Sequence, residues 1–186
     1  RVTLGLRESA PAVVKVVEAI NPSVLLKSRK GAAEAVHVRA AMEQDGAAMC
    51  EFYAWFEAAQ GQERITELTI DERLTAERAK RPGFVGLSFN TIAGFNANGA
   101  MPHYRATLES HAVIEGDGLL LIDSGGQYPG GTTDITRVWP IGTPGAAQKR
   151  DYTLVLKGTI SLSRARFPLG TLSPMLDALA RAPLWE

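Results

Sequence analysis

The chain has 186 residues, with 20 basic side chains balancing 20 acidic ones and 45% apolar residues. That composition excludes a disordered or collagen-like chain, and the balanced charge leaves no field to collect nucleic-acid phosphates or anionic lipid, so neither nucleic acid nor membrane is an expected partner. No apolar run approaches the roughly 18 residues needed to cross a bilayer, and the opening residues lack the apolar stretch and cleavage site of a secretory signal.

The length fits one domain or a large piece of one. The first residue is not Met, so further residues are expected upstream. Cys50 is the sole cysteine. It permits no internal disulfide, fits a reducing compartment, and is expected to be a buried structural thiol because no base accompanies it.

In chain order, Val13, Val16, Val17 and Ile20 repeat at helical spacing and predict a helix over 8–20 that ends at Asn21-Pro22. A longer amphipathic helix is predicted from Gly31 to Ala59, its apolar stripe running through Val38, Ala41, Met42, Met49, Phe52, Tyr53 and Phe56 as core packing. Thr69 and Glu72 form a capping-box pattern ahead of a short helix that closes at Arg81-Pro82-Gly83.

The texture then turns strand-like, with β-type runs at Ala112 to Ile114 and Leu119 to Ile122. Thr143-Pro144 and Ser173-Pro174 each read as a cap with proline in the first turn, starting two further helices. Helices, a strand-rich middle, then helices predict an α+β fold with an antiparallel sheet covered by helices.

Chemistry concentrates in residues 119–137. Leu119 to Ile122 read as a buried strand that ends on Asp123. The Gly- and Pro-rich residues 125–131 reverse the chain, and a reversal symmetric about Tyr128 and Pro129 sets Asp123 opposite Asp134. Opposed side chains lie about 4.5–5.5 Å apart at Cβ, where like charges destabilise the pair. Three remedies exist: one acid is protonated, a base such as Arg137 bridges them, or cations lie between them. Hard divalent ions suit paired carboxylates best, although aspartates also flank Gly-rich turns for purely local reasons.

The wording Leu120-Leu121-Ile122-Asp123-Ser124-Gly125-Gly126 followed by Thr132-Thr133-Asp134-Ile135-Thr136-Arg137 resembles the paired-aspartate signature of the pita-bread metallohydrolases, nearest to cytosolic-type Xaa-Pro aminopeptidases. Ile92 to Ala100, His103-Tyr104-Arg105-Ala106-Thr107 and the helix around Gly46 to Glu51 resemble the same subfamily.

That resemblance implies the pita-bread fold with only its first part present: a linker with its opening helix over 1–25 and a partial catalytic domain over 26–186. It implies Asp123 as a ligand of one metal, Asp134 as a ligand bridging two, and His103 as a substrate-binding residue. It further implies two divalent ions, manganese first with zinc or cobalt as alternatives, and a hydroxide between them that cleaves peptides with proline in second position. A cytoplasmic homodimer is the implied setting of the whole protein. His37 and His111 are read as structural or solvated.

The same resemblance implies a later histidine and two glutamates as ligands. After Asp134 the chain has no histidine, and its one glutamate is Glu186. The family domain is therefore expected to continue beyond the chain, which alone is expected to be inactive. Prolidases, methionine aminopeptidases and creatinases share the paired aspartates, and a non-catalytic binding module is the alternative from another class.

Overall fold

The computed structural model describes residues 3–185, which divide into two compact units at His37 and Val38. In the first unit, α1 (Leu4–Glu8) starts at Thr3, whose hydroxyl accepts from the Leu6 amide, and α2 spans Pro22–Ser28. The helix expected over 8–20 does not form, and Val13, Val16, Val17 and Ile20 are exposed. Two local effects override the periodicity. Pro11 brings no N–H and biases Ala10 away from helical backbone. Asn21 accepts from the Ser23 amide at 2.8 Å with Pro22 in the first turn, so Asn21-Pro22 opens a helix instead of ending one.

The long helix α3 spans Ala32–Ala59 and buries Ala41, Asp45, Ala48, Met49, Phe52, Phe56 and Ala59 along one stripe. Cys50 is exposed, contrary to expectation. It lies about 100° around the helix from Met49, and only one face of α3 is covered. Helix α4 (Glu67–Ala79) starts earlier than expected because Thr66 is the cap: its hydroxyl accepts from the Thr69 amide at 3.2 Å, and Thr69 Oγ1 accepts from the Thr66 amide at 3.3 Å. Thr69 is thus the reciprocal partner of the box.

Among the described residues, six strands follow in two antiparallel sheets. One joins β1 (Gly86–Leu87), β4 (Gly126–Tyr128) and β5 (Gly131–Thr132) in the order β1-β4-β5. The other joins β2 (Ile92–Phe95), β3 (Gly118–Ser124) and β6 (Ile135–Ile141) in the order β2-β3-β6. The expected run at Ala112 to Ile114 contributes a single bridge between Val113 and Thr66. The chain turns soon after it at Gly116, whose φ of 75° favours glycine.

Along β3, Leu120, Ile122 and Ser124 are buried while Leu119, Leu121 and Asp123 are half-buried, the alternation of a sheet covered more fully on one face. The buried face meets α3 and α4 through Phe52, Phe56, Ile70 and Leu74, all fully buried. Each such side chain contributes about 1.5–3 kcal/mol, more than any one cap, so this core sets the position of β3. Tyr53 stacks on Trp139 of β6 at 4.3 Å between ring centroids.

The last helices are α5 (Ala146–Ser163) and α6 (Ser173–Trp185). α5 opens at Gly145, whose amide donates to Gln148 Oε1 at 2.9 Å, while the Thr143 amide is taken by Asp117 Oδ1 at 2.7 Å. The less covered face of the sheet and α5 border an open groove of about 970 Å³ that includes Leu119, Leu121, Val138, Tyr152, Val155 and Leu156. No helix among the described residues is long and apolar enough to cross a membrane.

Candidate metal centre

The two aspartates sit where one hairpin passes between the two sheets. β3 pairs with β6 in a register that sets Asp123 opposite Thr136 and Ser124 opposite Ile135. β4 and β5 continue the same register, Gln127 with Thr132 and Tyr128 with Gly131. The reversal is therefore centred on Pro129 and Gly130, one position later than expected, and Asp134 moves two residues from the position opposite Asp123. The direct opposition is corrected to a diagonal one. Strand side chains alternate with period two, so Thr136 shares the face of Asp123; Asp134 precedes β6, two residues before Thr136, and is exposed like it.

Thr136 takes the place across from Asp123, and its hydroxyl donates to Asp123 Oδ1 at 2.8 Å. Among the described residues, Asp123 Oδ2 and both oxygens of Asp134 accept nothing further. Asp123 is half-buried and Asp134 is exposed. Arg137 does not bridge them: it donates to the Thr136 carbonyl at 2.8 Å and bears electrostatically on Tyr53. Two carboxylates set diagonally with oxygens left over fit part of a hard-cation site. Among the described residues, no cluster of three or more His, Cys, Asp or Glu side chains could hold a metal.

The chain neighbours of both aspartates are tied to one buried ion pair, Asp45 of α3 and Arg78 of α4. Arg78 Nε donates to Asp45 Oδ1 at 2.7 Å and Nη2 donates to Oδ2 at 3.1 Å, with both side chains fully buried. Arg78 Nη2 also donates to Ser124 Oγ at 3.1 Å, next to Asp123. Thr133 Oγ1, next to Asp134, donates to Asp45 Oδ2 at 2.9 Å, and the Tyr128 hydroxyl at the hairpin tip donates to Asp45 Oδ1 at 3.1 Å.

Ser88 closes the junction, its amide donating to the Gly125 carbonyl at 3.1 Å and its hydroxyl to the Thr133 carbonyl at 2.9 Å. A methyl group on Gly125 would overlap the Thr133 carbonyl and Ser88 Oγ, so only glycine fits there.

Burial pushes the Tyr128 phenol up to about 12, and the charge of Asp45 adds to the effect. Burial likewise pushes Tyr53 and Tyr104 up to about 12. The neutral phenols favour the folded state, so their contribution is fully present below the ordinary tyrosine value of 10 and is lost as pH rises through about 12. An alkaline titration followed by ultraviolet difference absorbance and by denaturant midpoint is expected to show stability falling between those values, with these phenols ionising only at its upper end.

Glu67 organises the segment that carries His103. Its buried carboxylate accepts from the Phe95 amide at 2.8 Å, the Ala112 amide at 2.8 Å, Asn98 Nδ2 at 3.0 Å and the Tyr104 hydroxyl at 2.8 Å. His103 itself is exposed, with a left-handed φ of 58°. A non-glycine residue there stores about 1–2 kcal/mol of strain, which the Tyr104–Glu67 bond beside it helps hold. His103 touches neither aspartate among the described residues. His111 Nδ1 lies 2.9 Å from the Thr107 carbonyl, an ordinary structural contact.

Asp45, Arg78 and Glu67 escape a sequence reading that sorts charge to the surface. The signal is their register: Asp45 lies four residues from both Ala41 and Met49, and Arg78 four from Leu74, so each charge falls inside an apolar helical stripe.

Several known proteins are similar to this chain in sequence or in fold. Probable Xaa-Pro aminopeptidase P of Botryotinia fuckeliana is 41% identical over 188 residues, covering 100% of this chain and 29% of the relative. The same-named protein of Fusarium vanettenii is 44% identical over 86% of this chain and 26% of its own length. The chain thus spans under a third of the curated relatives it matches.

Among solved structures, X-prolyl aminopeptidase from Caenorhabditis elegans, described as a cytosolic enzyme with a di-nuclear active site, superposes with a TM-score of 0.82 at 34% identity over 89% of this chain and 27% of its own. Prolidase from Pyrococcus furiosus superposes with a TM-score of 0.72 at 28% identity over 88% of this chain and 46% of its own. The fold is accordingly part of the pita-bread architecture. Residues 36–186 match metallopeptidase family M24, and the chain belongs to that family.

Proposed function

We propose that this chain supplies the first two metal ligands, Asp123 and Asp134, and part of the substrate pocket of an Xaa-Pro aminopeptidase. The observation that supports this reading is the hairpin register, which sets Asp123 across from Thr136, two residues beyond Asp134, with carboxylate oxygens unused by donors among the described residues. Residues 26–186 form the front of the catalytic domain in this reading, and the remaining ligands lie in the part of the relatives that this chain does not span.

Asp123 would hold one divalent cation and Asp134 would serve as a ligand to both. The chemistry such a pair of ions would supply is an activated water and polarisation of the scissile carbonyl. The chain's own residues prepare that chemistry. Thr136 fixes one oxygen of Asp123 and thereby leaves the other to ligate. Ser124 and Thr133 hold the flanking backbone. His103, held in strained backbone next to Tyr104, binds the peptide near its second-position proline. Manganese is the proposed metal, with zinc or cobalt as alternatives, and a homodimer in the cytoplasm is the proposed setting of the whole protein.

The test is hydrolysis by the full-length protein of an Xaa-Pro-Xaa tripeptide and an Xaa-Pro dipeptide, before and after chelation. The tripeptide is expected to lose its first residue, with activity abolished by chelator and restored by manganese. Preference for the dipeptide would assign a prolidase. Metal binding without turnover of either peptide would assign a binding module.

A further inference from the structure

Resting on that two-metal reading, we propose that Asp45 and Arg78 are positioning residues that set the spacing of Asp123 and Asp134 by gripping the residue next to each. A buried ion pair is a poor way to gain stability. Replacing one with apolar side chains of similar volume is often neutral or stabilising, whereas keeping it requires every donor to be satisfied. Here Arg78 Nη1 is buried without a partner, so the pair is not optimised for stability. Its bonds are instead aimed at the hairpin.

Asp45 Oδ2 receives Thr133 Oγ1, Arg78 Nη2 reaches Ser124 Oγ, and Asp45 Oδ1 receives the Tyr128 hydroxyl at the turn. Thr133 Oγ1 further accepts from the Gly126 amide at 2.8 Å, which joins the two strands behind the carboxylates. One fully buried salt bridge between two helices thus fixes both strands at the point where they leave one sheet for the other. Asp123 and Asp134, one residue outside each anchor, inherit their separation from it. Residues that orient metal ligands typically change metal affinity about 10–100-fold when removed.

The experiment measures manganese affinity by calorimetry, and thermal midpoint, on metal-free full-length protein. It compares wild type with Asp45→Asn, Thr133→Val, Asp123→Ala and Leu74→Ala. Leu74 is fully buried on the same helix, one turn before Arg78, and its apolar side chain makes no hydrogen bond to the pair, so Leu74→Ala reports general destabilisation of that helix.

Asp45→Asn and Thr133→Val are expected to weaken manganese binding about 10–100-fold. Leu74→Ala is expected to lower the thermal midpoint at least as far and leave the affinity unchanged. Thr133→Val is nearly isosteric and keeps the Thr133 amide bond to the Gly126 carbonyl, so it decides the matter if Asp45→Asn does not fold. Wild-type affinity in Thr133→Val, or equal weakening in Leu74→Ala, overturns the positioning role while leaving the metal site intact. Undiminished binding in Asp123→Ala overturns the metal reading itself.

Discussion

Asp45→Ala is expected to lower the unfolding free energy by about 3–5 kcal/mol, the usual result of stranding one member of a buried ion pair. The loss is large because Arg78 stays behind, fully buried, with Ser124 Oγ and Met49 Sδ as its remaining partners. The Tyr128 hydroxyl loses its acceptor at the same time, and the Thr133 hydroxyl is left with only the longer bond to the Gly126 carbonyl at 3.3 Å. An unsatisfied buried donor costs about 1–3 kcal/mol, so the stranded Tyr128 hydroxyl alone makes the loss larger than that of an ordinary surface substitution.

Replacing both charges, as Asp45→Leu with Arg78→Met, is expected to cost less than Asp45→Ala, because no bare charge remains. Denaturant unfolding of the three proteins checks the order. A loss under about 1 kcal/mol for Asp45→Ala, within the range of an exposed ion pair, would show that the pair does not hold the helices and hairpin together.

The second large effect concerns function. Asp134→Ala in the full-length protein is expected to lower kcat/KM on an Xaa-Pro-Xaa peptide by more than about 100-fold, since even residues that only support a metal ligand cost about 10–100-fold. Asp134 is exposed and accepts no hydrogen bond from the described residues, so its removal leaves the buried network untouched. The thermal midpoint of metal-free protein should therefore hardly change. A large fall in activity with an unchanged midpoint separates a ligand from a structural residue, and an equal fall in both would count against ligation.

Much of this architecture can be read from the residues. The stripe from Ala41 to Phe56 predicts α3, the apolar run before Asp123 predicts β3, and the two X-Pro starts predict α5 and α6 to within a few positions. What failed has identifiable causes. Asn21-Pro22 carries the signals of a stop and of a start, and the side-chain bond to Ser23 decides for the start. The hairpin register depends on where a run of glycines turns, and a shift of one position in the turn centre moves the partner of Asp123 from Asp134 to Thr136.

A two-residue shift leaves the alternation of side chains between the two faces unchanged, so the proposed site does not depend on direct opposition of the two acids. The buried charges were the deeper omission. Asp45, Glu67 and Arg78 look like solvated helix residues one at a time, and their burial becomes necessary only when α3, α4 and the hairpin come together.

The central claim, that Asp123 and Asp134 ligate two divalent ions, is tested most directly by anomalous diffraction from manganese-loaded crystals of the full-length protein. Two peaks about 3.5–4 Å apart are expected. Both should lie within about 2.0–2.6 Å of Asp134 oxygens and one within that distance of Asp123. Peaks elsewhere, in a protein that still cleaves its peptide, with both aspartates bare, would contradict it.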